Sequence, residues 1–458
     1  MILCSIIYGG LGMANEIKGK ELIDILINFS KEEISEILED VHPEDLLDAI
    51  RQYDDDRALL FGKLPENMLA SIIDQAQDDE KAELLEQFPD PLKAKVISEM
   101  SSDELVDLLG TVTPEEADEL LVRIDDDEAR MVKQLLSYDP HTAGGIMATE
   151  FIAIKENMTI GETLKYLQEK APQAETAYYV YVLDEDGKLK GVVSLRDIVI
   201  SNFDVVVSQI VNENVISVTV DKDQEEVGHI FEKYGFLTIP VVDETEKMIG
   251  IITVDDIIKI VRDEDTEDIY RLAGISEGEK IQGDIADSVK RRLPWLFVNL
   301  FTALLASITV SLFEGTIQQI VALASFMPIV AGMGGNTGTQ TLTIIVRSIA
   351  LGELTYENAK KVFFKELGVG IITGVAIGLA AAFLGFISET SIVFGLVLGT
   401  AMLLNMIVAA FAGYFVPIAL KKIGVDPALA SSVFVTTVTD VLGFTFFLGL
   451  AKLFAAYF

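Results

Sequence analysis

The chain changes its hydrophobic rhythm twice. Between roughly Gly19 and Ser137, apolar residues return every three or four positions, in short stretches opened by Ser, Thr, Pro or an acid. HPEDLLDAI (His42–Ile50), LPENMLASII (Leu64–Ile73), SSDELVDLL (Ser101–Leu109) and TPEEADELLVRI (Thr113–Ile124) are examples. That spacing predicts short amphipathic helices. Ser102 or Thr113 as N-caps, Pro at the first helical position and acids in the first turn satisfy the orphan amides and the helix dipole. Stacked on their neighbours, such helices form a small superhelix. From about Met147 to Asp265 the pattern becomes alternating strands and helices, and from Trp295 onward long apolar runs replace both. Five runs, at about 295–313, 319–345, 367–387, 392–420 and 427–454, match the ~20 residues a helix needs to cross the hydrocarbon core. The predicted fold is a multidomain membrane protein: an all-α N-terminal superhelical domain, an α/β tandem pair, and a five-helix transmembrane α domain.

The α/β segment repeats itself. VYVLD (Val180–Asp184) followed by GVVSLRD (Gly191–Asp197) matches PVVD (Pro240–Asp243) followed by GIITVDD (Gly250–Asp256), with Asp184/Asp243, Gly191/Gly250 and Asp197/Asp256 at one offset. Each copy reads as strand, acidic hairpin, strand, then a helix opened by Ser or Thr. The twice-used G-h-h-S/T-x-x-D turn resembles that of cystathionine-β-synthase (CBS) domains, with domain 1 over 147–206 and domain 2 over 207–265. The Ser194 or Thr253 hydroxyl caps a helix whose N-terminus favours anions, and the carboxylate three residues on suits ribose hydroxyls. Arg196 could hold a phosphate, whereas Asp255 in the second copy would repel one. The resemblance therefore implies an adenine nucleotide such as ATP in the first-copy cleft, on Tyr179, Ser194, Arg196, Asp197 and Phe236. A purely structural cap is the alternative.

Charge separates the halves. The 458 residues carry 35 Lys+Arg against 72 Asp+Glu, net −37, yet the mean hydropathy is +0.38. Ten basic and seven acidic residues lie from Ser288 onward, leaving net −40 before that point and +3 after it. An acidic half joined to an apolar half excludes a nucleic-acid binder, whose field would have the opposite sign. Cys4, the single cysteine, excludes a disulfide scaffold. Lys290–Arg292, the group Arg347, Lys360, Lys361 and Lys365, and the pair Lys421–Lys422 all fall on one side of the five runs. The positive-inside rule then places the acidic half in the cytoplasm of a cell that holds the chain in its plasma membrane as a multi-pass protein, with the C-terminus outside. Residues 1–12 are apolar but lack a basic n-region and read as an appendage, with Met13 an alternative start. Residues 13–140 are expected to form the acidic helical domain, 266–292 a charged, interrupted linker helix and 293–458 the transmembrane domain.

Enzymatic chemistry finds little support. His42, His141 and His229 are the only histidines and none stands in H-E-x-x-H; there is no P-loop and no G-x-S-x-G. The chain is read as a non-enzyme. What stands out is Asp440, within VTTVTDVLG (Val435–Gly443) in the middle of the fifth run. A carboxylate at the bilayer centre costs ~3 kcal/mol on insertion scales and usually faces a pore or a partner. Its only charged candidate partner in the spans, Arg347, sits near the end of the second. Asp440 is thus either an ion site or a structural hydrogen-bonded acid. In the second run, GGNTGTQ (Gly334–Gln340) offers neutral oxygens, beside the alternative of a seam of small residues for helix packing; Asn405 in the fourth run is a weaker candidate.

The order of acidic helical domain, CBS pair, linker helix and five spans resembles the MgtE family of magnesium channels. PIVAGMGGNTGTQ, FKELGVG, GVDPALASS and TTVTDVLGF are similar to its membrane signatures. The resemblance implies a homodimer in the lipid bilayer with a pore on the dimer axis between the second and fifth spans. Asp440 would be the selectivity acid, with Asn336, Gln340 and Thr439 beside it, holding a hydrated Mg²⁺ that keeps several waters. It also implies Mg²⁺ as a closing signal, read by Asp103 and Asp107 in the helical domain and by Glu225, Asp256, Glu264, Glu267 and Asp268 in the CBS pair and linker. An ion-coupled divalent-cation carrier and a CBS-regulated membrane sensor without transport are the alternative functions.

Overall fold

The computed structural model describes residues 19–457 except 39–40, 54–56, 77, 172–173, 277–278, 280–283 and 430. The apolar segment 1–12 lies outside the described residues. The chain divides into two compact units between Ile258 and Lys259.

The first unit opens with short helices: α1 (Lys20–Asn28), α2 (Lys31–Ile37), α3 (Pro43–Arg51), α4 (Arg57–Phe61), α5 (Glu66–Gln75), α6 (Asp78–Glu86), α7 (Asp90–Ile97), α8 (Ser102–Thr111), α9 (Pro114–Leu121) and α10 (Asp126–Leu135). Pro43 and Pro114 occupy first turns, and Ser30 and Thr113 close capping boxes with Glu33 and Glu116. Helices this short are marginal alone. Each gains its stability by packing on the next but one, as α3 does on α1 and α5 and α8 on α6 and α10. Leu46, Leu47, Ile50, Leu69, Ile72 and Ile73 are fully buried there. One expectation needs correction: α8 begins at Ser102, so its N-cap is Ser101. The Ser102 hydroxyl is drawn instead to a carboxylate, donating to Glu150 Oε2 at 2.8 Å.

Two copies of one α/β unit follow. The first holds β1 (Ala153–Lys155), α11 (Ile160–Lys170), β2 (Tyr179–Leu183), β3 (Leu189–Ser194) and α12 (Leu195–Ile200). The second holds β4 (Val218–Thr219), α13 (Gln224–Tyr234), β5 (Thr238–Val242), β6 (Met248–Thr253) and α14 (Val254–Leu272). Each sheet is three-stranded, with a parallel first strand beside an antiparallel hairpin. The repeat extends to the pairing of Val182 with Gly191 and of Val241 with Gly250, each followed by a register shift. A Cβ on Gly191 would come within 2.8 Å of the Asn212 carbonyl oxygen, and one on Gly250 within 2.8 Å of that of Ala148. The repeated glycines therefore mark where a backbone crosses the hairpin. The parallel strands β1 and β4 escape the sequence pattern because three and two residues are too few to show alternation.

In the second unit, α14 ends in a turn at Gly274, whose φ is 72°. The helices α15 (Ile285–Ser311), α16 (Glu314–Gln319), α17 (Ala322–Ala350), α18 (Ala359–Glu389), α19 (Ile392–Lys422) and α20 (Ser431–Leu453) follow. The interrupted helical linker expected over 266–292 contains the tail of α14 and the head of α15. By length and composition, four helices among the described residues can cross a membrane: α15, α18, α19 and α20. The second expected span, α17, has 29 residues, but Gly334–Gln340 make it too polar to qualify by that criterion. Packing centres on α19, which meets α17, α18 and α20 and buries Phe394, Leu398, Met402, Met406 and Ala409. By contrast α15 leaves Leu296, Phe297, Phe301, Leu304 and Ile308 exposed, an apolar surface suited to lipid.

Candidate functional site

The membrane unit brings α17 and α20 together at the level of the polar stretch. A Cβ on Gly338 would lie 2.5 Å from Val435 Cγ1 and 3.7 Å from Thr439 Cγ2, and one on Gly335 would lie 3.7 Å from Thr436 Cγ2. One turn beyond Thr436 comes Asp440, half-buried. Among the described residues, no hydrogen bond or ion pair reaches its carboxylate. Arg347, the one cation the sequence offered it, pairs with Asp265 instead. Asn336 and Gln340, one turn apart, lie on the exposed face of α17. Thr439 does not join them. It is fully buried, and its hydroxyl donates to the Thr436 carbonyl at 2.9 Å, because the α17 contact takes up that face of α20. The result is a half-buried carboxylate without a partner among the described residues, on a helix that meets α17 along the stretch carrying Asn336 and Gln340, and no group among those residues repays its desolvation.

The first unit holds a second concentration of negative charge. Asp103 lies in the first turn of α8 with Oδ1 buried and, among the described residues, without a hydrogen-bond partner. Burial, reinforced by the Asp107 and Glu150 carboxylates, pushes it up to about 6. Glu150 and Thr149 are tied to α8 through Ser102, whose Oγ accepts from the Thr149 amide at 2.9 Å. Glu175 donates its amide to the Glu150 carbonyl at 2.8 Å. Its carboxyl is pushed up to about 8 by burial and then by Asp103, Asp256, Glu150 and Asp255. Helical-domain and CBS acids therefore share one seam. The sequence pointed to Asp103 and Asp256 but not to Glu150 and Glu175, which carry no motif and are marked only by tertiary proximity.

The remaining expected acids are scattered. Asp107 lies 3.4 Å from the Lys81 ammonium, which also pairs with Glu104 at 2.8 Å. Burial and Asp74 push Glu104 up against the pull of that ammonium. Glu225 is exposed in the first turn of α13. On α14, Glu267 pairs with Arg271, which also reaches Asp426, and Asp268 is raised by burial and by Glu264 and Asp265. Among the described residues no three His, Cys, Asp or Glu side chains are arranged to hold a metal ion.

At the CBS turns, hydroxyl and carboxylate bond each other. Ser194 Oγ donates to Asp197 Oδ2 at 2.6 Å and accepts from its amide at 3.1 Å, and Thr253 Oγ1 donates to Asp256. Arg196 is exposed with no partner among the described residues. Tyr179 is half-buried on β2, and Phe236 stacks on Tyr234 with ring centroids 5.4 Å apart.

Comparison with known proteins agrees with this order of parts. The family described as divalent cation transporter matches residues 327–450, the MgtE intracellular N domain matches 41–141, and the CBS domain matches 143–201 and 207–263. A magnesium transporter MgtE from Enterococcus faecalis is 37% identical over 72% of this chain and 73% of its own length. The crystal structure of the soluble part of a magnesium transporter, 36% identical, superposes with a TM-score of 0.51 over 53% of this chain and 96% of that one. The magnesium transporter MgtE of Thermus thermophilus is 36% identical over 92% of this chain and 94% of its own. With helical domain, CBS pair and membrane helices matched in sequence and in order across nearly the whole length, the chain belongs to the MgtE family of divalent cation transporters.

Proposed function

We propose that this chain is a Mg²⁺ channel that works as a homodimer in the plasma membrane. In this reading α15, α17, α18, α19 and α20 are its five spans, and α17 crosses despite its polar residues because they face the pore. Asp440 and its symmetry mate hold a hydrated Mg²⁺ on the dimer axis, with Asn336 and Gln340 beside it. The observation that carries this reading is the Asp440 carboxylate, left without a partner among the described residues on an apolar helix. Two such carboxylates suit an ion that dehydrates reluctantly and keeps its waters. Membrane potential favours entry by ~2.3 kcal/mol per charge per 100 mV, so no coupled fuel is required. The basic clusters flanking the spans support a cytoplasmic acidic unit and an outer C-terminus. At low Mg²⁺ the acids on the seam of Asp103, Glu150, Glu175 and Asp256 repel one another; Mg²⁺ between them relieves the repulsion and favours the compact, closed form. The relatives from Enterococcus faecalis and Thermus thermophilus, both magnesium transporters, support the choice of ion.

Reconstituted into liposomes with a Mg²⁺-sensitive dye inside, the wild type should pass Mg²⁺ down a voltage, and Asp440→Asn should fall to the rate of empty liposomes. Wild-type flux in a folded Asp440→Asn protein would overturn the assignment. Flux that stops when a Na⁺ or H⁺ gradient is collapsed at fixed voltage would replace the channel by a coupled carrier.

A further inference from the structure

We infer that Asn405 is a positioning residue for the ion site, its carboxamide setting the separation of α17 and α20 beside Asp440 and thereby the discrimination among divalent cations. The inference rests on Asp440 being the ion-binding carboxylate.

Asn405 sits midway along α19, the helix on which α17, α18 and α20 pack, and is 0% exposed. A buried amide is costly unless its polar atoms are satisfied. Half of it is: Nδ2 donates to the Val330 carbonyl of α17 at 2.9 Å. The other half, Oδ1, is buried and accepts no hydrogen bond among the described residues. What surrounds it is bare backbone. A Cβ on Gly334 of α17 would fall 2.9 Å from Asn405 Cγ and 3.2 Å from Oδ1. A Cβ on Gly443 of α20 would fall 2.6 Å from Nδ2 and 2.9 Å from Oδ1. The carboxamide is therefore held against two glycines of two different helices.

A seam that served packing alone has no need of an amide, since a buried polar group is costly unless its polar atoms are satisfied, and Oδ1 has no hydrogen-bond partner among the described residues. The place of the clamp gives the amide another use. Gly334 precedes Asn336 by two residues and Gly443 follows Asp440 by three, so both are less than a turn from the site. A close-packed seam does not deform smoothly. Any change at position 405 that lets α17 or α20 settle differently moves Asn336 or Asp440 with it. A binding constellation must be held to within ~0.5 Å by the groups behind it, and Asn405 is the group behind this one.

The test uses the full chain in liposomes, with dye-reported Mg²⁺ and Ca²⁺ fluxes measured on the same preparations. Asn405→Ala should still pass Mg²⁺, but its Mg²⁺-to-Ca²⁺ flux ratio should fall roughly tenfold, equivalent to about 1.4 kcal/mol. Asn405→Ser, with a shorter donor, should lie between. Gly443→Ala should lower the ratio by itself, because its methyl runs into the amide. Combined with Asn405→Ala it should move the ratio back toward wild type, since the methyl then enters vacated space. A wild-type ratio in folded Asn405→Ala and Asn405→Ser proteins, even with reduced thermal stability, would overturn the inference. If the alanine variant does not fold, a wild-type ratio in both Asn405→Ser and Gly443→Ala overturns it equally. Retained Mg²⁺ flux in Asp440→Asn would instead remove the pore reading on which the inference depends.

Discussion

Asp103 gives the sharpest test of the acidic unit. The residue is 8% exposed, its Oδ1 has no hydrogen-bond partner among the described residues, and burial pushes its carboxyl from 3.8 up to about 6. Keeping it ionised in the folded protein therefore costs about two pKa units, or about 3 kcal/mol. The folded state binds more protons than the unfolded one between pH ~4 and ~6, so stability falls as pH rises through that window. The contribution is complete below the unfolded value and lost above the folded one. Asp103→Asn keeps the shape and removes the charge. In EDTA at about pH 7.5 the variant's acidic unit should unfold several degrees above wild type, taking ~2–4 °C per kcal/mol for a unit of this size. At about pH 5 the gap should shrink to roughly half, near pH 4 to roughly a fifth, and well below the unfolded value it should vanish. If Mg²⁺ binds the seam as proposed, added Mg²⁺ should raise the wild-type transition by mass action, and that rise should be smaller in Asp103→Asn, whose seam has less charge to neutralise. Thermal unfolding of the full chain in detergent, followed by circular dichroism with EDTA and with Mg²⁺, measures all of these. A lower unfolding temperature for Asp103→Asn in EDTA at about pH 7.5 would refute the reasoning.

Other predictions are independent of that one. Glu175, raised to about 8, extends the same sign to higher pH, so Glu175→Gln should flatten the loss of stability that the wild type shows between pH ~5 and ~8 in EDTA. The α18–α19 crossing leaves no room at Gly378, where a Cβ would lie 2.7 Å from the Gly399 carbonyl oxygen. Gly378→Val should cost at least the ~1–3 kcal/mol of an overpacked core and lower the yield of monodisperse protein on size exclusion, whereas Gly332→Ala, with nothing within 4 Å, should not. Arg196→Ala should abolish any thermal shift of the full chain by ATP, and an undiminished shift would take the phosphates away from Arg196.

Much of the architecture is legible in the chain because it is written in local periodicities. The helix-period stretches around Leu46–Ile50 and Leu69–Ile73, the twin hairpins ending at Ser194 and Thr253, and the long apolar runs each reflect which faces of a segment must leave water. The anomaly of Asp440 is legible for the same reason, since a charge within an apolar run needs no partner to be noticed. Two polar positions are harder to read. Thr439 and Asp440 are adjacent letters, but their side chains leave the helix about 100° apart, and only the contact with Gly338 decides that the threonine is sealed and the carboxylate is not. Ser102 has the local pattern of a cap, but Glu150, 48 residues away, claims its hydroxyl.

What the sequence alone determined is thus the order of the parts, the split between an acidic and an apolar half, and the residue types that carry charge where charge is costly. Tertiary structure alone decided which acids share the seam of Asp103, Glu150, Glu175 and Asp256, and that Asn405 stands between Gly334 and Gly443. Burial from water depends on a segment's own pattern. Electrostatic coupling and close packing depend on distances between segments far apart in the chain, and those distances exist only once the chain has folded.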